Sequence, residues 1–298
     1  MGRSDDTAAM PRPSVVPPQL MVVGAIVSVQ VGAAIGRSLF DEMGATGVTF
    51  LRVFLAAVVL VVAVRPNVRS WDRRAWTAAV ALGTALGCMN LVFYLSLRTV
   101  PLGVAVTVEF LGPLLLALVQ TRRVVDLCWA LLAAGGVALL GLNSSGAIPL
   151  SGLALAGLAG LFWAAYIVAS SRLGQVLPGA SGLAVSLTAA SLIVAPFGAS
   201  EAATVFERPE LLIPAAAVAL LSSLIPYGLE LEALRTIPTR VFGVLMSLEP
   251  AAAAAAGWVI LGQDLGRREV VALVLVSAAS VGITLGRRED AVPVQPLE

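Results

Sequence analysis

The 298-residue chain is 58% hydrophobic and 12% charged, with a mean hydropathy of +0.94 and a formal net charge of +1. A soluble domain carries about a quarter of its residues as charged side chains, so a soluble globular protein is excluded, and the near-neutral balance gives no pull toward nucleic acid. Histidine is absent and Cys88 and Cys128 sit in separate apolar runs, which excludes a Ser-His-Asp triad, an HExxH site and a CxxC pair; no catalytic group, metal or cofactor is expected.

Residues 1–18 are polar and proline-rich (PRPSVVPP) and read as a disordered tail. They do not form a signal peptide, because the apolar run that follows is long enough to span and no A-x-A-type site closes it. Beyond them, a hydrocarbon core of about 30 Å needs roughly 20 apolar residues per helix. That yields ten segments, at about 20–40, 47–64, 75–97, 102–120, 124–142, 151–171, 180–198, 211–234, 239–261 and 269–286. The expected fold is an all-α membrane protein of ten transmembrane helices. The polar stretch 143–150 separates a first five-helix unit, 19–142, from a second, 151–286, and 287–298 is a polar C-terminal tail.

The two units repeat. Asn90 to Pro113 (NLVFYLSLRTVPLGVAVTVEFLGP) and Tyr227 to Pro250 (YGLELEALRTIPTRVFGVLMSLEP) align without a gap at an offset of 137 residues, carrying Arg98 onto Arg235, Pro101 onto Pro238 and Pro113 onto Pro250. Each copy is a helix, a tight Arg-Thr-x-Pro turn and a second helix. Proline suits that turn because it ends one helix for want of an N–H and starts the next with φ preset. Five spans is an odd number, so the second unit enters the bilayer from the opposite side. The repeats are therefore expected to be inverted, with a substrate site near the midplane between them. Every basic residue is an arginine, and 13 of the 19 fall in loops or tails on the side of the N-terminus, against Arg98, Arg208, Arg267 and Arg268 on the other. By the positive-inside rule both termini are cytoplasmic.

Charge within a bilayer is expensive, so each ionisable residue there is a functional candidate. These are Arg37, Arg52, Glu109, Glu230, Glu232 and Glu249. Arg37 and Arg52 lie toward the outer ends of the first two helices, where snorkelling to the headgroups is the competing account. Glu109 stands four residues before Pro113, on the face where the proline ring disturbs the backbone ladder. Glu249 directly precedes Pro250. Glu230 and Glu232 point to different faces, and Glu230 is favoured because Tyr227 lies one turn before it. Asn90 with Tyr94 (i, i+4) and Trp163 with Tyr166 (i, i+3) each share a helix face, and Gln30 lies two turns before Arg37. The glycine and alanine runs (Gly83/Gly87, Gly152 to Gly160, Ala251 to Ala256) allow close helix approach. In GVLMSLEP, Gly243 and Pro250 allow a gating helix to bend, and Pro113 is the matching hinge.

These segments carry a resemblance. GAAIGRSLF at 32–40, MNLVFYLSLRTVPLGVAVTVEFLGPL at 89–114, IPYGLELEALRTIPTRVFGVLMSLEP at 225–250 and the Trp163-to-Tyr166 face are similar to the drug/metabolite transporter superfamily, whose members carry two EamA-type domains of five helices. Within it the chain resembles the bacterial threonine/homoserine exporter subfamily, from about Val31 to Leu285. The resemblance implies ten helices in the bacterial inner membrane, cytoplasmic termini, a central cavity lined by both halves, and export from the cytoplasm. The chain departs from the family at Gly262-Gln263-Asp264, where Gly-Glu is common: the acid is displaced by one residue.

The expected activity is secondary export of small neutral amino acids by alternating access, with the amino acid, protons and the lipid bilayer as partners. A Walker A string needs Gly-Lys, and the chain has no lysine, so a proton gradient is the expected drive. Glu109 is the leading proton carrier, since a carboxyl group in a low-dielectric site exchanges a proton instead of holding a permanent charge. Arg52 or Arg37 would take the substrate carboxylate, and Glu109, Asn90 or Tyr94 its ammonium. The alternative is efflux of aromatic amino acids or organic cations, with Trp163, Tyr166, Tyr94 and Tyr227 lining a cation-π cavity. An intramembrane enzyme or a scaffold fits poorly, given the missing histidine and the ionisable groups within the spans.

Overall fold

The computed structural model describes residues 17–119, 124–141, 148–177, 179–234, 237 and 239–286. Most of the two tails, the centre of the loop between the units, Arg122, Arg123 and the Arg235, Thr236 and Pro238 positions of the second turn lie outside the described residues. Ten helical regions follow in order: α1 (Pro18–Ser38), α2 (Phe40–Val64), α3 (Arg73–Ser96), α4 (Leu102–Glu109 and Leu111–Val119), α5 (Val124–Gly141), α6 (Leu150–Val176), α7 (Ser181–Ala202), α8 (Leu212–Ala219, Leu220–Leu224 and Ile225–Leu234), α9 (Thr239–Met246 and Glu249–Leu261) and α10 (Arg267–Gly286). Among the described residues, nine regions are long and apolar enough to cross a bilayer, and Val124–Leu139 is a shorter apolar helix. No strand occurs among the described residues, as hydrocarbon demands of a backbone that must satisfy its own hydrogen bonds. Large apolar side chains face outward along the spans, Val62 at 63%, Leu192 at 70% and Trp258 at 65% exposure, which suits contact with lipid.

Two regions expected as single helices are broken, and for one reason. The first segment of α4 stops at Glu109 and that of α9 at Met246, in each case four residues before a proline. Pro113 and Pro250 have no N–H to offer those carbonyls, and their rings crowd them. The segments Leu102–Glu109 and Thr239–Met246 also match end for end at the 137-residue offset of the repeat. A third irregularity had no forecast: Leu220–Leu224 within α8 is a π-helical turn. In α2 the backbone departs from helix at Met43 (φ −140°) and Gly44 (φ +66°), so the regular span begins near the expected residue 47.

The principal contacts run α1–α8–α2–α7–α3–α6–α4–α9 and back to α1, a closed ring of eight helices, with α5 and α10 packed on each other outside it against α4 and α9. Adding five to each helix number maps these contacts onto themselves: α3–α6 becomes α8–α1, α3–α7 becomes α8–α2, α4–α6 becomes α9–α1, and α2–α7, α4–α9 and α5–α10 are their own images. The end of the ring at which α1 starts is called here the near end, and the end at which it finishes the far end.

Candidate functional site

Seven of the ten helices place side chains around one cavity of about 120 Å³ at mid-depth. Gln30 comes from α1, Arg52 from α2, Asn90 from α3, Glu109 from α4, Trp163 and Tyr166 from α6, Tyr227 and Glu230 from α8, and Glu249 from α9; α7 contributes none of its lining. Nine residues singled out in the sequence thus meet at one site. Glu109, at 8% exposure, Arg52 at 6% and Glu249 at 7% are all buried.

Arg52 is held by a clasp. Its Nε donates to Ser223 Oγ at 3.4 Å, Nη1 to Tyr94 Oη at 3.2 Å and Nη2 to the main-chain carbonyl of Ser222 at 2.8 Å. Pro226, four residues after Ser222, has no N–H to supply that carbonyl, and the π turn beside it shifts the ladder. The proline therefore leaves an acceptor and the arginine uses it. A guanidinium has about five N–H donors; three are engaged, and Arg52 forms no ion pair with a carboxylate among the described residues. A buried cation without a counter-ion is costly, and Arg52 lines the cavity with donors left for an anion such as a carboxylate.

The acidic groups differ in how they are held. Glu249 opens the second segment of α9, where free N–H groups favour an anion, and Gln30 Nε2 donates to its Oε2 at 3.1 Å. That bond joins α1 to α9. Glu109 and Glu230 make no hydrogen bond or ion pair among the described residues. Asn90 spends its Nδ2 on the Leu86 carbonyl at 2.8 Å, which leaves Oδ1 as an acceptor. Phe110 packs edge-on against Trp163, centroids 5.4 Å apart, and so steadies the aromatic wall beside Glu109. Ser222 Oγ is buried without a partner among the described residues.

Three candidates stand outside the cavity lining. Tyr94 is fully buried behind Arg52, with the guanidinium 5.4 Å from its ring centroid; it positions the arginine. Arg37 lies at the far end, where its Nε caps the Leu97 carbonyl at 2.7 Å and its guanidinium covers the Phe40 ring. Glu232 is likewise absent from the lining, and Glu230 is present. Ser222, Ser223 and Pro226 were missed, although a Ser-Ser pair four residues ahead of a proline inside an apolar run is a readable signal of a freed carbonyl.

A second cavity, of about 530 Å³, opens toward the near end and shares Trp163, Tyr166, Glu230 and Met246 with the first. Pro113 and Gly243 line it, so both proposed hinges face this space, while Pro250 is buried at the start of the second α9 segment. At the far end polar contacts close the ring. Arg208 pairs with Glu42, Glu201 accepts from Thr46 and Gly47, and Gln263 Oε1 accepts from the Leu102 N–H at 2.9 Å. The displaced acid at Gly262-Gln263-Asp264 therefore leaves a glutamine to cap α4.

Known proteins resemble this arrangement. Residues 150–285 match the EamA-like transporter family. The threonine/homoserine exporter RhtA of Salmonella typhimurium (strain SL1344) is 42% identical over 276 residues, spanning 92% of this chain and 93% of that protein. The RhtA of Escherichia coli (strain K12) is 41% identical over 275 residues, with the same coverage. A crystal structure of a protein 17% identical superposes with a TM-score of 0.60 over 90% of this chain and 96% of that one, a likeness of fold alone.

Proposed function

The chain belongs to the EamA-like transporter family, and we propose that it exports small neutral amino acids of the threonine/homoserine kind from the cytoplasm by alternating access between two inverted five-helix units. Its relatives over 92% of its length are exporters, so it is a multi-pass membrane transporter and not an enzyme. The observation that carries the substrate reading is the cavity itself. One guanidinium with unspent donors and three carboxyl groups, walled by helices of both units, match the two charges of a zwitterion. Arg52 takes the carboxylate, and Glu109 and Asn90 receive the ammonium.

The size of the site favours a small solute. About 120 Å³ is well below the roughly 300–1,000 Å³ of pockets that hold drug-sized ligands, which argues against aromatic amino acids and bulky organic cations. Inversion is supported by the matched broken helices and by contacts that repeat on a shift of five helices. Alternating access is supported by a cavity that joins a wider space at one end and meets polar closures at the other. The loop arginines support a cytoplasmic near end in the bacterial inner membrane. Glu109 is the proton carrier in this reading, because it is buried beside the substrate without a fixed partner.

The test is a full metabolite panel on cells with and without the protein, followed by counterflow of labelled threonine, homoserine and tryptophan in reconstituted vesicles. Threonine and homoserine are expected to exchange and tryptophan not. Exchange of tryptophan alone would overturn the substrate assignment.

A further inference from the structure

Contacts that join one five-helix unit to the other hold the far end of the ring, and we infer that Glu201 is the gating residue there. The inference rests on the alternating-access reading. Glu201 lies in the last turn of α7, and its Oε2 accepts from the main-chain N–H of Gly47 at 3.0 Å and from the Thr46 hydroxyl. Both donors belong to the first regular turn of α2, directly after the kink at Met43 and Gly44. A kink leaves the N–H groups of the next turn poorly supplied with acceptors. A carboxylate is the ligand such a turn prefers, and here it comes from the opposite unit.

The helices meet closely here. A Cβ on Gly47 would stand 2.9 Å from Glu201 Cβ and 3.0 Å from the main-chain nitrogen of Ala202, and Gly44 holds a positive φ that favours glycine. The end of α7 therefore lies directly on the turn that Glu201 caps. Of the other far-end contacts, the Gln263–Leu102 bond joins α9 to α4 and does not hold α2 to α7, and two more are weaker candidates for a latch. Arg208 and Glu42 are both about half exposed, 46% and 41%, and meet side chain to side chain, whereas Glu201, itself exposed, also holds a partly buried main-chain N–H. Arg37 caps Leu97 within its own unit, so it cannot hold the units together.

The near end supplies the contrast. Under the shift by five, the counterpart of α2 is α7, which begins at Ser181 at the near end; neither helix is capped by the side chain of its own N-cap residue. Past its kink, α2 receives a carboxylate from the other unit at Gly47; no such cap is found at the near-end start of α7 among the described residues. That asymmetry accompanies a wide cavity at the near end and polar closure at the far end. Opening the far end must part α2 from α7 and uncap α2, so Glu201 biases which face the cavity opens to without touching the substrate.

Labelling of a cavity cysteine tests this. With Cys88 and Cys128 replaced by alanine, Ala33→Cys places a thiol on the central cavity, to be labelled from outside intact cells by a membrane-impermeant maleimide. Glu201→Ala is expected to raise the labelling rate about fivefold, the ordinary worth of a helix cap. Glu201→Gln, whose amide oxygen still accepts both bonds, should stay near the parent rate, and Thr46→Val, which loses one donor, should fall between. Equal labelling of Glu201→Ala and its parent at equal surface expression would overturn the gating role. If the parent is never labelled from outside, even during threonine export, alternating access itself fails and the gate with it. A Glu201→Ala protein that does not reach the membrane leaves the Thr46→Val variant to decide: no rise there also overturns the inference.

Discussion

Arg52 on α2 and Ser222 on α8 are joined by a hydrogen bond of 2.8 Å from Nη2 to the main-chain carbonyl that Pro226 leaves without its helical donor. The bond crosses from α2 to α8 and fixes the only buried cation on the cavity lining among the described residues. Arg52→Ala strands that carbonyl and the Tyr94 hydroxyl. It is expected to cost about 1–3 kcal/mol of stability and to abolish saturable threonine binding. Arg52→Lys keeps the charge without the planar fork, so affinity should fall about tenfold or more, ~1.4 kcal/mol, while the protein stays folded. Binding to detergent-solubilised protein and its thermal unfolding separate the two effects. Normal affinity in Arg52→Ala would remove the arginine from the site.

Glu109 tests the coupling. Glutamine occupies the same space and accepts a hydrogen bond but cannot carry a proton. Glu109→Gln should therefore retain threonine exchange between vesicles of equal pH and lose export driven by an imposed proton gradient. Imposing the gradient and following labelled threonine reads both. A variant that still responds to the gradient would pass the proton role to Glu230, the other cavity carboxyl without a fixed partner.

Much of this was legible in the sequence, for identifiable reasons. The repeat announced itself through Arg98, Pro101 and Pro113 and their partners 137 residues on, because proline geometry fixes helix ends whatever surrounds them. Buried ionisable groups were legible because hydrocarbon makes each one costly. What escaped depended on partners far away in the chain. Ser222 matters through its carbonyl, which no side-chain inventory records. Tyr94 shares a helix face with Asn90 but lies behind Arg52, and only the packing of α2 against α3 decides that. Arg37 is two turns from Gln30, and those two turns separate the cavity from the far end.

The crossing of α4 and α6 sits beside Glu109 and depends on two glycines. A Cβ on Gly112 would stand 1.7 Å from the Gly160 carbonyl oxygen, and one on Gly160 would stand 2.4 Å from that of Glu109. Backbone cannot yield as a flexible side chain can, so Gly112→Ala should force the helices apart, costing at least about 1–3 kcal/mol and displacing Glu109. Lower melting temperature with reduced transport is expected. At Gly174, where a Cβ meets open space, alanine should leave both unchanged, which makes it the control.

Gln263 closes the argument about the displaced acid. Its Oε1 accepts from the N–H of Leu102, the first residue after Pro101, where a helix start leaves donors unpaired. The contact ties the far end of α9 to that of α4 across the two units. Gln263→Ala removes the acceptor and should lower stability by about 1 kcal/mol, the usual worth of a cap. Gln263→Glu keeps an acceptor and adds a charge that the helix start favours, so it should match or exceed the parent. The carboxylate's desolvation opposes that gain, because the bond is partly buried; the measured order of the three melting temperatures decides which effect wins. Should the alanine variant melt with the parent, the glutamine is not a cap and the far-end tie between α4 and α9 rests on packing alone.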